Sequence, residues 1–180
     1  MLTAHEFSDV DLGDKRLVAR LSAIASASDK SPGSSLPQQS ESGAALEATY
    51  RFFGNDTISP EAVFEGHVNA TIRRASAHDE VYVLHDTTEF RFGGEKHREG
   101  LGWLNSNHRV GFLAHYSICV TAQGRPLGSV ALLAWSRQGK RKGRLSRNKA
   151  YPVSARESQR WQEAALLSGE LLEGATEVVH

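Results

Sequence analysis

The stretch VYVLHDTTEF (81–90) places a carboxylate directly after an apolar run. Four apolar or aromatic residues lead into His85 and Asp86, and two threonines and Glu89 follow. This pattern predicts a buried strand over 81–85 that ends at Asp86. In open α/β sheets functional groups lie at strand ends, where the backbone is rigid and the side chain is accessible. Asp86 is therefore a candidate functional carboxylate.

A carboxylate in this position suits a hard divalent cation. Mg²⁺ takes oxygen ligands, usually one or two carboxylates completed by water and phosphate, and a pair of such ions promotes phosphodiester cleavage. One carboxylate does not hold two ions, so Asp86 would need partners. The alternative is that Asp86 only caps a turn after the strand, with Thr87 and Thr88 supplying local hydrogen bonds.

The composition is that of an ordinary soluble globular protein, with 39% hydrophobic and 23% charged residues. No apolar run approaches the roughly 20 residues that span a bilayer, so no membrane partner is expected. The N-terminus lacks the basic start and apolar stretch of a secretion signal. The single cysteine, Cys119, lies in an apolar segment and is predicted to be buried. These features favour a reducing cytoplasm.

The net charge of zero hides an uneven distribution. Residues 101–150 carry nine basic and no acidic residues, whereas residues 1–100 carry ten basic and sixteen acidic ones. The segment 138–149 alone holds six basic residues. We expect Lys140, Arg141 and Lys142 in this segment to contact a polyanion such as DNA. A solvated basic loop without a partner is the alternative.

Helical periodicity dominates the first part of the chain. Three apolar stripes predict three helices; they consist of Leu17, Leu21 and Ile24, of Leu46, Tyr50 and Phe53, and of Phe64, Val68 and Ile72. Asp14 or Asp11 is a cap for the first helix, and Ser59-Pro60-Glu61 begins the third. The polar stretch 34–42 is predicted to be a loop. Residues 1–78 are thus predicted to form a helical domain.

From residue 81 the pattern changes to strands. Residues 110–121 and 127–136 flank AQGRP, which predicts a hairpin. SARE (154–157) is a capping box for a helix that continues to Leu171, and EVVH (177–180) begins another strand. The fold class is therefore predicted to be mixed α+β. A helical domain is followed, over 79–180, by the incomplete start of an α/β core.

Several segments, in order along the whole chain, resemble the N-terminal portion of bacterial cut-and-paste transposases. The resemblance is to the insertion-sequence family, with a D-D-E active site, that includes the Tn-five transposase. The segments are LGDKRLVARL (12–21), ATYRFFGNDTISPEAV (48–63), LHDTTEF (84–90), GLG (100–102), AHYS (114–117), GSVALLAWSR (128–137) and RESQRW (156–161).

The resemblance implies a helical domain that binds double-stranded transposon-end DNA, followed by a ribonuclease-H-like core that cuts and joins DNA with Mg²⁺ or Mn²⁺. Asp86 matches the first acidic residue of the triad and would be both a catalytic residue and a metal ligand. The implied DNA-binding residues are Arg16, Arg20 and Arg51, with Lys30 in an adjoining loop. The resemblance also implies a bacterial cytoplasmic protein. The full-length proteins of that family form homodimers, partly through a C-terminal region that this chain is expected to lack.

The other two acidic residues of the triad are expected beyond His180. The chain alone is therefore expected to be inactive in DNA cleavage, because carboxylates that act as a unit also fail as a unit. Three functions stay open: the DNA-binding and partial catalytic region of a transposase, a non-catalytic DNA-binding module, and an inactive relic of a transposase gene whose unfinished sheet has an open edge.

Overall fold

Two compact units make up the chain, Met1–Arg73 and Arg74–His180. The computed structural model describes residues 6–93, 98–104, 110–137, 158–174 and 177–180. In these ranges the chain is a mixture of helices and a mixed sheet, as expected from the sequence. None of the helices found there is long and apolar enough to cross a membrane.

The first unit is helical. Its elements are α1 (Lys15–Lys30), α2 (Leu36–Gln39), α3 (Gly43–Phe53) and nearly all of α4 (Pro60–Ala75). Asp14 caps α1 by accepting a hydrogen bond of 2.8 Å from the Arg16 N–H. Ser42 caps α3 in the same way, accepting from the Ala45 N–H at 3.2 Å.

The core of the first unit forms where α1 and α3 pack together with the N-terminal segment. Val10, Leu21 and Phe52 are buried at its centre. Partly buried apolar side chains surround them: Phe7, Leu12, Leu17, Ile24, Ile58 and Val63. The predicted stripe on the first helix is therefore confirmed. It holds α1 against α3 in a fixed arrangement.

Two predictions for the first unit are wrong. The buried side of α3 is formed by Thr49 and Phe52, whereas Tyr50 and Phe53 of the predicted stripe are exposed. The stretch 34–42 is also not entirely a loop, because it contains α2. The Gln38 side chain accepts a hydrogen bond from the Ser35 N–H at 2.9 Å, which is one half of a capping box and stabilises this single turn.

The second unit is a mixed sheet with a helix on one face. Its elements are β1 (Glu80–Phe92), β2 (Gly102–Trp103), β3 (Val110–Thr121), β4 (Pro126–Trp135), α5 (Gln159–Leu172) and β5 (Glu177–Val179). The central strand β3 pairs antiparallel with β1 on one side and with both β2 and β4 on the other. On its free side β1 pairs with β5, which runs parallel to it.

Helix α5 packs on one face of this sheet, against β1, β3 and β4. Ala164, Ser168 and Leu172 are its buried residues and follow each other at four-residue spacing. The predicted end of this helix at Leu171 is confirmed within one residue, and Trp161 and Leu167 on the same helix are exposed. The capping box predicted at 154–157 lies outside the described residues.

The first strand is much longer than predicted. The two strands of the hairpin are confirmed within one residue, but β1 does not end at residue 85. It continues to Phe92 because β3 pairs with it along its length, from Val81 opposite Thr121 to Phe92 opposite Val110. Cys119 is fully buried in β3, as predicted, and burial raises the pKa of its thiol.

Candidate nucleic-acid interface and carboxylate site

Arg16, a predicted DNA-binding residue, forms an ion pair with the residue that caps its own helix. Its guanidinium lies 2.8 Å from Asp14 Oδ2, and 92% of the arginine side chain is exposed. Hydrogen bonding to Arg16 lowers the pKa of the Asp14 carboxyl, and the same contact raises the pKa of Arg16. Both groups are therefore charged at neutral pH, and Asp14 competes with any phosphate for Arg16.

Lys30 and Arg51 have acidic neighbours of the same kind. Lys30 Nζ lies 3.1 Å from Glu41 Oε1, and Arg51 Nη2 lies 2.7 Å from Glu47 Oε1, one helical turn earlier. All four side chains are exposed. Exposed ion pairs contribute about 1 kcal/mol or less, so a DNA phosphate is able to replace either carboxylate. Lys30 is the last residue of α1, not part of a loop as predicted.

Arg20 is the fourth predicted cation of the first unit. It lies one turn after Arg16 on α1, so the two side chains share a side of that helix. Arg20 is half-buried and, among the described residues, has no acidic partner within ion-pair distance. The packing of α1 on α3 thus brings Arg16, Arg20 and Arg51 into one compact unit. Lys140, Arg141 and Lys142 lie outside the described residues.

The sequence interpretation missed two residues next to Arg51. Tyr50 and Phe53 are 53% and 62% exposed, although their apolar character led to their assignment to the core. The signal that identifies them is the neighbouring Phe52, because a helix cannot bury positions 50, 52 and 53 on one narrow stripe. Large exposed aromatic side chains on the same helix as Arg51 belong to the candidate interface.

Asp86 lies in the middle of β1, directly opposite Tyr116 of β3. The prediction that it ends a strand is wrong, and so is the alternative that it caps a turn. Its side chain is exposed on the sheet face opposite to α5. On that face, Leu84, Ile118 and Leu132 are also exposed. An exposed carboxylate is thus held on rigid backbone among apolar neighbours.

The described residues do not by themselves complete a metal site around Asp86. Within these ranges there is no group of three histidine, cysteine, aspartate or glutamate side chains that could hold a metal ion. Asp86 offers an accessible hard oxygen, the ligand type that Mg²⁺ and Mn²⁺ accept. A Mg²⁺ or Mn²⁺ site would need acidic groups in addition to this one.

The opposite face of the sheet holds a histidine cluster under α5. His85 Nδ1 lies 3.0 Å from Ser117 Oγ, and His85 Nε2 lies 3.1 Å from His180 Nδ1. His115 is fully buried, with Nδ1 2.8 Å from Thr87 Oγ1 and its ring 4.8 Å from that of Trp161.

Burial lowers the pKa of both His85 and His115, and the Asp86 charge opposes this for His115. Both rings are therefore neutral at pH 7.

Residues 2–58 match the protein-family model described as transposase DNA-binding. The match covers α1, α2 and α3 and ends before α4 begins. It includes Arg16, Arg20, Lys30 and Arg51, together with Tyr50 and Phe53. The N-terminal third of the chain is thus similar to the region with which transposases bind DNA.

Proposed function

We propose that this chain is the N-terminal portion of a transposase and that it binds the duplex DNA of transposon ends. The observation that carries the proposal is the match of residues 2–58 to a transposase DNA-binding family. The four predicted DNA-binding cations in the matched segment are exposed or half-buried, and three of them form surface ion pairs. DNA phosphates bind Arg and Lys side chains of this kind.

For the second unit the proposal assigns a partial catalytic core of the ribonuclease-H-like type. The antiparallel strands β1, β3 and β4, the helix α5 on one face of the sheet and the strand β5 parallel to β1 support this assignment. Asp86 is proposed as the first carboxylate of a D-D-E site and as a ligand for Mg²⁺ or Mn²⁺. Because one carboxylate does not hold two metal ions, DNA cleavage would need further carboxylates in addition to Asp86.

The DNA-binding part of the proposal is tested by selection from a pool of duplexes with a randomised core. The full chain is incubated with the pool in about 100 mM salt, where purely electrostatic binding does not discriminate between sequences. Bound duplexes are sequenced, and the dissociation constants of the preferred duplex and a shuffled one are compared by fluorescence anisotropy. We expect one preferred sequence with at least tenfold tighter binding.

Arginine variants locate the interface. We expect Arg16→Gln, Arg20→Gln and Arg51→Gln each to weaken binding. The matched control is Arg73→Gln, because Arg73 is also exposed and paired with an aspartate, Asp9, but lies outside the matched segment. Equal affinity for preferred and shuffled duplexes would contradict the recognition of transposon ends and favour the inactive relic.

A non-catalytic DNA-binding module is the second candidate function, and it is favoured if Asp86 has no affinity for metal ions. Binding of Mn²⁺ to a single carboxylate is weak but is detected by paramagnetic broadening of nearby amide signals in NMR spectra. We expect broadening around residue 86 that is lost in Asp86→Asn and retained in Asp79→Asn, which removes an exposed carboxylate of the same unit. Identical broadening in both variants would refute the ligand role.

A further inference from the structure

One side of α3 displays two aromatic side chains beside a cation. We call Glu47, Tyr50, Arg51 and Phe53 the α3 outer face; all four are exposed. Tyr50 and Phe53 are three residues apart and therefore adjacent on the helix surface. Phe52 is buried in the core of the first unit and anchors α3 there. Its ring contacts that of Phe53 edge-on at a centroid distance of 5.7 Å.

Electrostatic contacts alone do not allow the matched segment to distinguish one DNA sequence from another. Residues 2–58 contain eight acidic and only five basic residues. If all five bound phosphates, the logarithm of affinity would fall with the logarithm of salt concentration with a slope of about −4.5 at most. Phosphate contacts carry no sequence information directly, so discrimination has to come from groups that reach the base edges.

The α3 outer face has the shape and chemistry for that task. An α-helix fits the major groove, where each thymine presents a 5-methyl group that apolar side chains contact. Tyr50 and Phe53 are the largest apolar groups that α3 exposes. Arg51 lies between them in sequence, and its weak pairing with Glu47 leaves it able to bind a phosphate at the groove edge.

We propose that the α3 outer face enters the major groove and that Tyr50 and Phe53 recognise thymine methyl groups, which makes them specificity-determining residues. This inference rests on the proposed DNA-binding function and deepens it. The cations Arg16, Arg20 and Arg51 then orient the unit on the phosphate backbone, and the two aromatic residues select the sequence.

The test removes single methyl groups from the DNA. In the duplex preferred by the wild-type chain, each thymine is replaced in turn by uracil, which differs only by the missing 5-methyl group. At one or two positions we expect about fourfold weaker binding, the loss that corresponds to one buried methyl group. Tyr50→Ala or Phe53→Ala removes this sensitivity at its own position, so that thymine and uracil duplexes bind equally.

The two aromatic variants also lower discrimination between preferred and shuffled duplexes, while the salt dependence of binding stays that of the wild type. Leu166→Ala is the matched control, because Leu166 is 68% exposed on α5 and lies outside the matched segment. Circular dichroism establishes that the variants keep their helices.

The results distinguish failure of this inference from failure of the proposed function. If the wild type selects no sequence, both are overturned. If it selects a sequence but uracil weakens neither the wild type nor the variants, or weakens them equally, only the role of Tyr50 and Phe53 is overturned. That role is also overturned if the aromatic variants lose affinity equally for all duplexes.

Discussion

At the scale of single residues, the cations of the first unit are partly neutralised before DNA arrives. Asp14 caps α1 and also holds Arg16. In Asp14→Asn the cap is retained, because asparagine caps helices as well as aspartate does, whereas the ion pair is lost. We expect DNA affinity, measured by anisotropy, to rise by up to about fivefold, which corresponds to the roughly 1 kcal/mol of a surface ion pair.

A general effect of charge on DNA binding is separated from this specific one by Asp56→Asn. Asp56 is exposed in the matched segment and, among the described residues, pairs with no cation. Its substitution removes the same charge without releasing an arginine. If both variants bind DNA with the same affinity, the Asp14–Arg16 pair has no role in limiting the interface.

Asp86 is an example of a residue that does not fit its local structure. Aspartate is unfavourable in the middle of a strand, and this one is surrounded by exposed apolar side chains. A residue kept for chemistry rather than for folding is expected to cost stability. Asp86→Thr should therefore raise the free energy of unfolding of the second unit by about 0.5–1 kcal/mol, measured by urea denaturation.

The reverse substitution nearby is the control for Asp86. Thr88 is exposed on the same face of β1, two residues further along, and Thr88→Asp should lower the free energy of unfolding by a similar amount. A loss of stability in Asp86→Thr would show that the carboxylate supports the fold. The functional interpretation of Asp86 would then lose its physical basis.

At the scale of elements, the packing of α4 on the N-terminal segment depends on a glycine. Gly66 lies in the interior of α4, where alanine would normally stabilise the helix by about 1 kcal/mol. A β-carbon at this position would collide with Cγ2 of the buried Val10. Because overpacking costs about 1–3 kcal/mol, we expect Gly66→Ala to destabilise the first unit, measured by thermal denaturation at 222 nm.

A second substitution tests this explanation. Val10→Ala removes the methyl group with which the new β-carbon collides. In the double variant Val10→Ala/Gly66→Ala, the loss of stability should be smaller than the sum of the two single losses by about 1 kcal/mol or more. Additive losses would mean that the contact between α4 and Val10 does not explain the glycine.

Hydrophobic periodicity predicted helices and strands correctly where the apolar residues are also the buried residues. It located α1, β3 and β4 because Leu21, Leu113 and Val130 are both apolar and buried. It also located α3 but assigned the wrong buried side to it. The small polar Thr49 is buried, with its hydroxyl donating to the Ala45 carbonyl at 3.0 Å, whereas Tyr50 and Phe53 are exposed. An apolar side chain can be buried or exposed, so in α3 hydrophobicity alone does not predict which residues are buried.

The candidate site was predictable in residue type but not in position. Asp86 was found from its sequence neighbours, yet its place in mid-strand depends on the pairing of β1 with β3, which joins residues far apart in sequence. Polar residues such as Thr87 continue the strand because His115 of β3 offers a hydrogen-bond partner under α5. Non-local pairing of this kind overrides local strand propensity.

At the scale of the whole molecule, the second unit contains two histidines that respond to mild acid. His85 and His115 lie in the second unit, and burial lowers the pKa of both below the usual value of about 6.5. His180 and His115 lower the pKa of His85 further. The unfolded chain therefore binds protons at these positions more readily than the folded unit does.

This difference fixes the sign of the pH dependence. Stability from the two neutral histidines is complete above about pH 6.5, the pKa in the unfolded chain, and is lost as the pH falls below it, because protonation then favours unfolding. All three tryptophans of the chain, Trp103, Trp135 and Trp161, lie in the second unit, so their fluorescence reports its unfolding alone. We expect the urea midpoint seen by fluorescence to be lower at pH 5.5 than at pH 7.5.

His85→Gln identifies the source of this pH effect. Glutamine retains a hydrogen-bonding group for Ser117 but does not titrate, so the drop in the urea midpoint between pH 7.5 and 5.5 should become smaller. An unchanged drop would assign the effect to other groups. If the wild-type midpoint instead rose on acidification, the folded unit would be more stable with these histidines protonated. The conclusion that both rings are neutral in the folded unit would then be wrong.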